Sequence, residues 1–478
     1  MKIKKILSML LVLAMSLSLM ACGAKDDDKK LTDNSSTSSN KTSEETGDDV
    51  GGDTTGDVFP TIDSLKLGED YTDITADLKF LTHRTDIVDT KFQDYIAEFQ
   101  KLYPNVKITY EAVTDYAEDV TIRLTTGDWG DICMIPTTVQ KSELPGLFTS
   151  FGTIEGIGQN YDYLNNFAFQ GEVYGIPSTV NAQGIVYNKR VFEEAGVTEI
   201  PKTPDEFINA LQKIKDNTDA IPMYTNFAAG WTMGAWDAYI GGSATGDPDF
   251  MNNGIVHGKN PFADRGDQTG PFAVYNTLYE AVARNLVEDD PTTTDWESSK
   301  GMINRGEIAT MVLGSWAVTQ MQGAGDNPDD IGYMPFPITV NGKQYASAGP
   351  DYCYGINVNS SDDEKIAALL YVKWLTEESN FAYDEGGIPI AKGAEYPPTL
   401  ASFDGITLVI DNPAPAGEET LFNELNTESE IGINSENTHV QRIVEAAMDQ
   451  SETMNDIVED WNASWSAAQE KYNVQVTE

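Results

Sequence analysis

The sequence predicts an α/β protein whose sheets are mainly parallel and flanked by helices. Short apolar runs with strand character alternate with helical periodicities early in the chain. Amphipathic helices with explicit N-terminal caps fill the middle. After a polar N-terminal stretch, about 410 residues remain, enough for two or three domains.

Leu78-Lys79-Phe80-Leu81 reads as a strand. Thr90-Lys91-Phe92-Gln93 has the pattern of a capping box, and Phe92, Ile96, Phe99 and Tyr103 recur at helical spacing up to Pro104. A second strand is expected over Val106–Tyr110, a helix over Tyr116–Thr126 ended by Gly127, and a third strand over Asp131–Ile135. This βαβαβ order implies a parallel sheet with right-handed crossovers. Ligands of such sheets sit beyond the carboxyl ends of the strands. That places His83, Arg84 and Thr85, with Pro136, Thr137 and Thr138, on the candidate binding edge.

Farther on, Thr203-Pro204-Asp205-Glu206 combines an N-cap threonine, proline at the first helical position and a reciprocal glutamate. Phe207, Ala210, Leu211 and Ile214 mark the buried face of that helix. Ser361-Asp362-Asp363-Glu364 repeats the device before Ile366, Leu369, Leu370 and Trp374. Residues 241–270 are rich in Gly, Asp and Asn and read as an elaborated loop. No internal repeat of the solenoid kind is visible.

The N-terminus has Lys2, Lys4 and Lys5 before an apolar run from Ile6 to Ala21, the layout of a signal segment over residues 1–21. The run is shorter than the ~20 residues of a spanning helix. Leu19-Met20-Ala21-Cys22 resembles the bacterial lipobox, Met20 being the departure from its usual small residue. The resemblance implies a lipidated Cys22, whose two acyl chains would suffice for stable anchoring. Ordinary secretory cleavage beside an incidental cysteine is the other reading. A disordered acidic Ser/Thr/Gly tether is expected over 22–70, since such a segment buries too little apolar surface to offset its chain entropy.

The chain has 31 basic and 76 acidic residues, a net charge of −45. That field repels nucleic acid and anionic headgroups and favours a neutral ligand. Solubility alone would also account for it. Cys133 and Cys353 are too few for a disulfide framework. They either pair or form two separate buried thiols.

From about Asp77 onward the order of landmarks resembles the family 1 extracellular solute-binding proteins, the class containing maltose-binding protein. Gly171-Glu172-Val173-Tyr174-Gly175-Ile176-Pro177 is followed by Tyr187-Asn188-Lys189, Phe192, Ala195-Gly196, Pro201-Lys202-Thr203 and Glu206. Gly306 to Met311 with Gly314-Ser315-Trp316 resembles a second family signature, Thr310 being an insertion. Ile331–Pro337 and Gly386-Gly387-Ile388-Pro389 resemble two more.

The resemblance implies a two-lobed, periplasmic-binding-protein-like fold whose lobes are joined by hinge strands, with ligand held in the cleft between them. The N-terminal lobe is expected over 71–180 plus 337–385, and the C-terminal lobe over 181–336 plus 386–478. Hinges are expected near 177–184, near 332–337 and between 376 and 387.

A sugar offers hydroxyls and apolar C–H faces, so its site needs flat rings beside planar polar groups. Trp316 and Asn181 match ligand-contacting positions of the family, with core packing and a solvated loop amide as their alternatives. Asn226, Phe227, Trp231 and Trp236 form an aromatic cluster among small residues, either exposed to ligand or part of a lobe core. Asp351, Tyr352 and Tyr354 follow a Gly-Pro turn, and alternation puts both tyrosines on one face. Trp129 either lines the first lobe or caps its turn. With His83, Arg84 and Thr137 these are the candidate ligand-binding residues. Trp374, Trp461 and Trp465 sit at helical spacing and read as core.

His83, His257 and His439 lie outside any zinc motif, and no nucleophile elbow or phosphate loop is present. Asp247-Pro248-Asp249 departs from a calcium loop at Asn252. No catalytic residue, metal or cofactor is therefore expected. The expected function is that of a monomeric, lipid-anchored binding protein on the outer face of the cell membrane (periplasmic where an outer membrane exists). It would deliver an oligosaccharide to the permease subunits of an ABC importer. A surface adhesin or sensor without transport, and a surface glycosidase or lyase, are the alternatives.

Overall fold

The computed structural model describes residues 59–477 apart from 115 and 436. The expected signal segment, Cys22 and the tether as far as residue 58 lie outside the described residues. Residues 59–70 do not continue the tether. Ile62 and Leu65 are buried in the first core, and the Ile62 amide donates to the Phe151 carbonyl at 2.9 Å.

Eleven strands build the two main sheets: β1 (Ala76–Thr82), β2 (Val106–Ala112), β3 (Ile132–Ile135), β4 (Ile176–Pro177), β5 (Val180–Asn188), β6 (Ile221–Met223), β7 (Ile308–Gly314), β8 (Ile331–Pro335), β9 (Tyr345–Pro350), β10 (Cys353–Ile356) and β11 (Thr407–Val409). The N-terminal lobe has the order β2-β1-β3-β10-β4. Strand β1 is parallel to β2 and β3, as the βαβαβ pattern requires, and only β10 runs against the rest. The C-terminal lobe has the order β11-β9-β5-β7-β6, with β8 also paired to β5. Here β5 alone is reversed. Both sheets are flanked by helices, which is the expected α/β class.

Helix boundaries follow the caps. The helix Pro204–Asn217 starts where Thr203 Oγ1 accepts from the Glu206 amide, and Phe207, Ala210, Leu211 and Ile214 are its buried face. The helix Asp362–Glu377 has a complete capping box between Ser361 and Glu364. Each such cap contributes about 1 kcal/mol. At Lys91–Phe99 the expected box does not form. Thr90 lacks the extended cap conformation, and its hydroxyl turns back to the Ile87 carbonyl at 3.3 Å.

The stretch 241–270 is more than a loop. It folds into short helical turns, Gly242–Thr245, Phe250–Gly254 and Ile255–His257. Phe250, Met251, Ile255, Val256 and Phe262 are buried in the second core. The polar composition conceals these apolar residues because they are spaced singly between turns.

The sheets show where the chain passes between the lobes. The first passage lies between β4 and β5. The second does not lie at 332–337: β8 pairs along β5, Phe336 and Ile338 are buried in the C-terminal core, and β9 still belongs to that lobe's sheet. The chain crosses back at Asp351–Tyr352. The third crossing lies beyond Lys392, because Ile390 and Lys392 still bond Asp162 and Asn160 of the first lobe. It precedes β11. Trp374, Trp461 and Trp465 are core residues. Cys133 and Cys353 are separate, buried free thiols.

Candidate functional site

The crossing strand organises the cleft. The Asp351 amide donates to the Thr179 carbonyl at 2.9 Å, and Ser178 Oγ donates to the Tyr352 carbonyl at 2.8 Å. Two residues on, the Ser315 amide donates to the Ala182 carbonyl at 3.0 Å, and Ser315 Oγ donates to Asn181 Oδ1 at 3.3 Å. Tyr352 from one lobe and Trp316 from the other, both half-buried, therefore start from backbone fixed to one five-residue stretch.

Three tryptophans form the wall on the C-terminal side. Trp231 is 43% exposed, and Trp296 and Trp316 are half-buried. The centroid of Trp296 is 5.1 Å from that of Trp231 and 5.7 Å from that of Trp316, and Trp231 and Trp316 are 5.7 Å apart. On the N-terminal side the His83 ring lies 4.4 Å from Tyr352 and 5.8 Å from Tyr116. Tyr116 donates to the Leu81 carbonyl at 3.0 Å and accepts from the Met134 amide at 2.7 Å, which fixes it between β1 and β3.

The electrostatics suit a neutral guest. Burial lowers the His83 pKa; Arg84 reinforces that shift, and Asp351 and Asp86 oppose it. Its Nδ1 is buried with no partner among the described residues. Arg84 is a forked donor to Asp86 at 2.8 and 2.7 Å and pairs with Glu385 at 2.6 Å, so its charge is spent within the lobe. Lys91 also pairs with Glu385, at 3.1 Å. Thr137 is exposed just after β3.

Other expected site residues are placed differently. Trp129 is buried edge-on against Phe148, Trp236 edge-on against Phe336 and tilted against Tyr239, and Tyr354 edge-on against Phe80. These three are packing residues. Tyr354 does not share a cleft face with Tyr352 because β10 begins only at Cys353, after the chain has crossed. Asn226 is 1% exposed and adopts the left-handed conformation at φ 56°. Its carbonyl accepts from Thr232 Oγ1 and the Ala229 amide, so it shapes the turn before Trp231. Phe227 packs on the second core. Asp351 stays half-buried at the crossing.

Trp296 went unread in the sequence, and Tyr116, 3% exposed with its hydroxyl spent on Leu81 and Met134, backs His83 and Tyr352 from within the lobe. A lone tryptophan directly after Thr292-Thr293-Thr294-Asp295, at a helix start among polar residues, was the available cue. Half-buried rings on both lobes, with Asp351 between them and Asn181 held at 5% exposure beside Ser315, suit a ligand with flat apolar faces and a hydroxylated rim.

The family profile described as bacterial extracellular solute-binding protein matches residues 85–380, more than half of the chain. The manno-oligosaccharide specific solute-binding protein BlMnBP2 of Bifidobacterium animalis subsp. lactis, solved with mannotriose, is 46% identical. The alignment covers 86% of this chain and 99% of that one, with a TM-score of 0.83. BlMnBP1 of the same organism, an ABC-transporter binding protein solved with mannobiose, is 47% identical over 88% of this chain and 100% of that chain, also with a TM-score of 0.83. The multiple sugar-binding protein of Streptococcus mutans is 24% identical over 64% of this chain and 72% of its own length.

Proposed function

This chain belongs to the bacterial extracellular solute-binding proteins, and on that premise we propose that it captures a manno-oligosaccharide outside the cell for an ABC importer. The observation that carries the reading is its 46% identity across 99% of a protein solved with mannotriose. The cleft chemistry supports it. Trp231 and Trp316 stack on pyranose faces from one lobe, and Tyr352 beside His83 offers a second apolar surface from the other. Asn181, Asp351 and Thr137 meet the hydroxyls.

Sugar bound to one lobe gains the remaining contacts only when the lobes close, so binding energy drives closure. The closed form docks on the permease, and the guest leaves chemically unaltered. The relatives named above are binding proteins. The protein acts as a monomer, tethered through a lipid on Cys22 at the outer face of the membrane.

Calorimetry and thermal shift with mannobiose and mannotriose test this, with maltose, cellobiose, an amino acid and a polyamine as controls. Manno-oligosaccharides should raise the melting temperature with saturation. Stabilisation by a control ligand alone would overturn the cargo assignment. Release of mannose from mannotriose would replace transport with catalysis.

A further inference from the structure

We propose that Trp296 is a positioning residue for saccharide recognition, holding the Trp231 ring in the attitude that receives a sugar. The inference rests on the manno-oligosaccharide reading above.

Trp231 has little local support. It opens a four-residue helix, Trp231–Gly234, directly after Gly230 at φ 67°, and its ring is 43% exposed. Short loops of this kind fluctuate unless neighbours restrain them. The restraint comes from Thr294–Trp296. Thr294 Oγ1 accepts from the Ala228 amide at 2.8 Å, the Asp295 amide donates to Tyr224 Oη at 3.0 Å, and the Trp296 ring stands at 82° to Trp231.

That segment is itself fixed. Asp295 Oδ1 caps the helix Trp296–Arg305 through the Ser298 amide at 2.8 Å, and Ser299 Oγ donates to the Trp296 carbonyl at 2.7 Å. Lys300 Nζ lies 4.9 Å from the Trp296 ring centroid. With an ammonium against its ring and both other tryptophans within 5.7 Å, Trp296 serves as a buttress rather than a stacking face.

The test is a double-mutant cycle on the mature protein with mannotriose as the probe: Trp296→Ala, Trp231→Ala and the pair. Trp296→Ala should weaken binding by about tenfold or more, and Trp296→Phe should recover most of it. The double variant should bind less weakly than the two single losses combined, since most of the buttress's effect passes through the Trp231 ring, its nearer neighbour. The near-UV circular dichroism of the coupled rings should fall while the unfolding midpoint holds.

Unchanged binding by Trp296→Ala overturns the proposal. So does an additive cycle, which would make Trp296 an independent ligand contact. Trp296→Leu is run in parallel, because it keeps apolar bulk if the alanine variant folds poorly. A wild-type protein that binds no saccharide overturns the functional reading and this inference together, whereas a binding wild type with an additive cycle overturns only the inference.

Discussion

Thr319 Oγ1 donates a 3.3 Å hydrogen bond to the backbone carbonyl of Glu385. Thr319 lies one turn beyond Trp316 on the helix Trp316–Gly323, and the Glu385 carboxylate holds Arg84 and Lys91. One residue thus joins the tryptophan wall to the ion-pair cluster of the opposite lobe.

Glu385→Gln should therefore loosen the rim. The Arg84–Glu385 pair is only 13% and 17% exposed, so removing the carboxylate leaves a largely buried guanidinium with Asp86 as its remaining anion. A loss of about 1–3 kcal/mol in unfolding free energy is expected, measured by urea titration. A midpoint equal to wild type would show that Asp86 suffices.

Trp231→Ala and Trp316→Ala should each weaken mannotriose binding by about tenfold to a hundredfold. Trp231→Ala should leave the melting temperature nearly unchanged, since the ring is 43% exposed. Calorimetry beside thermal shift separates lost contact from lost folding.

Glu288 should give an inverted pH response. Burial raises its pKa above the ordinary 4.5, and hydrogen bonds from Thr225 only partly oppose the shift. A raised carboxylate binds more protons folded than unfolded, so its contribution to stability falls as pH rises from 4.5 through the folded value. Glu288→Gln should then be relatively more stable near neutral pH than near pH 4. Parallel chemical-denaturation series at the two pH values check this, and an identical difference at both would sink it.

Gly387→Ala should disturb the crossing region. A Cβ there would meet Thr179 Oγ1 at 2.0 Å, and Thr179 is buried. The expected cost is about 1–3 kcal/mol. Small-angle scattering with and without mannotriose should show an altered change on ligand addition.

Much of the frame was legible because its cues are local. The βαβαβ start, the caps at Thr203 and Ser361 and the buried faces behind them depend on neighbours within four residues. The lobe crossings were less legible. Residues 331–335 look like a crossing strand, but their partner is β5, and pairing is a long-range choice that a single strand does not reveal. The site shows the same limit. Trp316 and Tyr352 stay half-buried beside the crossing, whereas Trp129, Trp236 and Tyr354 share their composition and differ in what the fold lays over them. Trp296 reaches the wall because helix Trp296–Arg305 packs on β7, a contact its polar neighbours do not advertise.

The two inner crossing segments run side by side, Ser178–Thr179 bonded to Asp351–Tyr352, with Pro177 and Pro350 at their strand ends. Each proline ring locks φ near −65°. Such a paired ribbon flexes across its width and resists sliding along its length. Its travel is limited to the few torsions that the two rings leave free. Two of the three lobe crossings are thus tied to each other, so any change in the angle between the lobes has to pass through the torsions of both segments together.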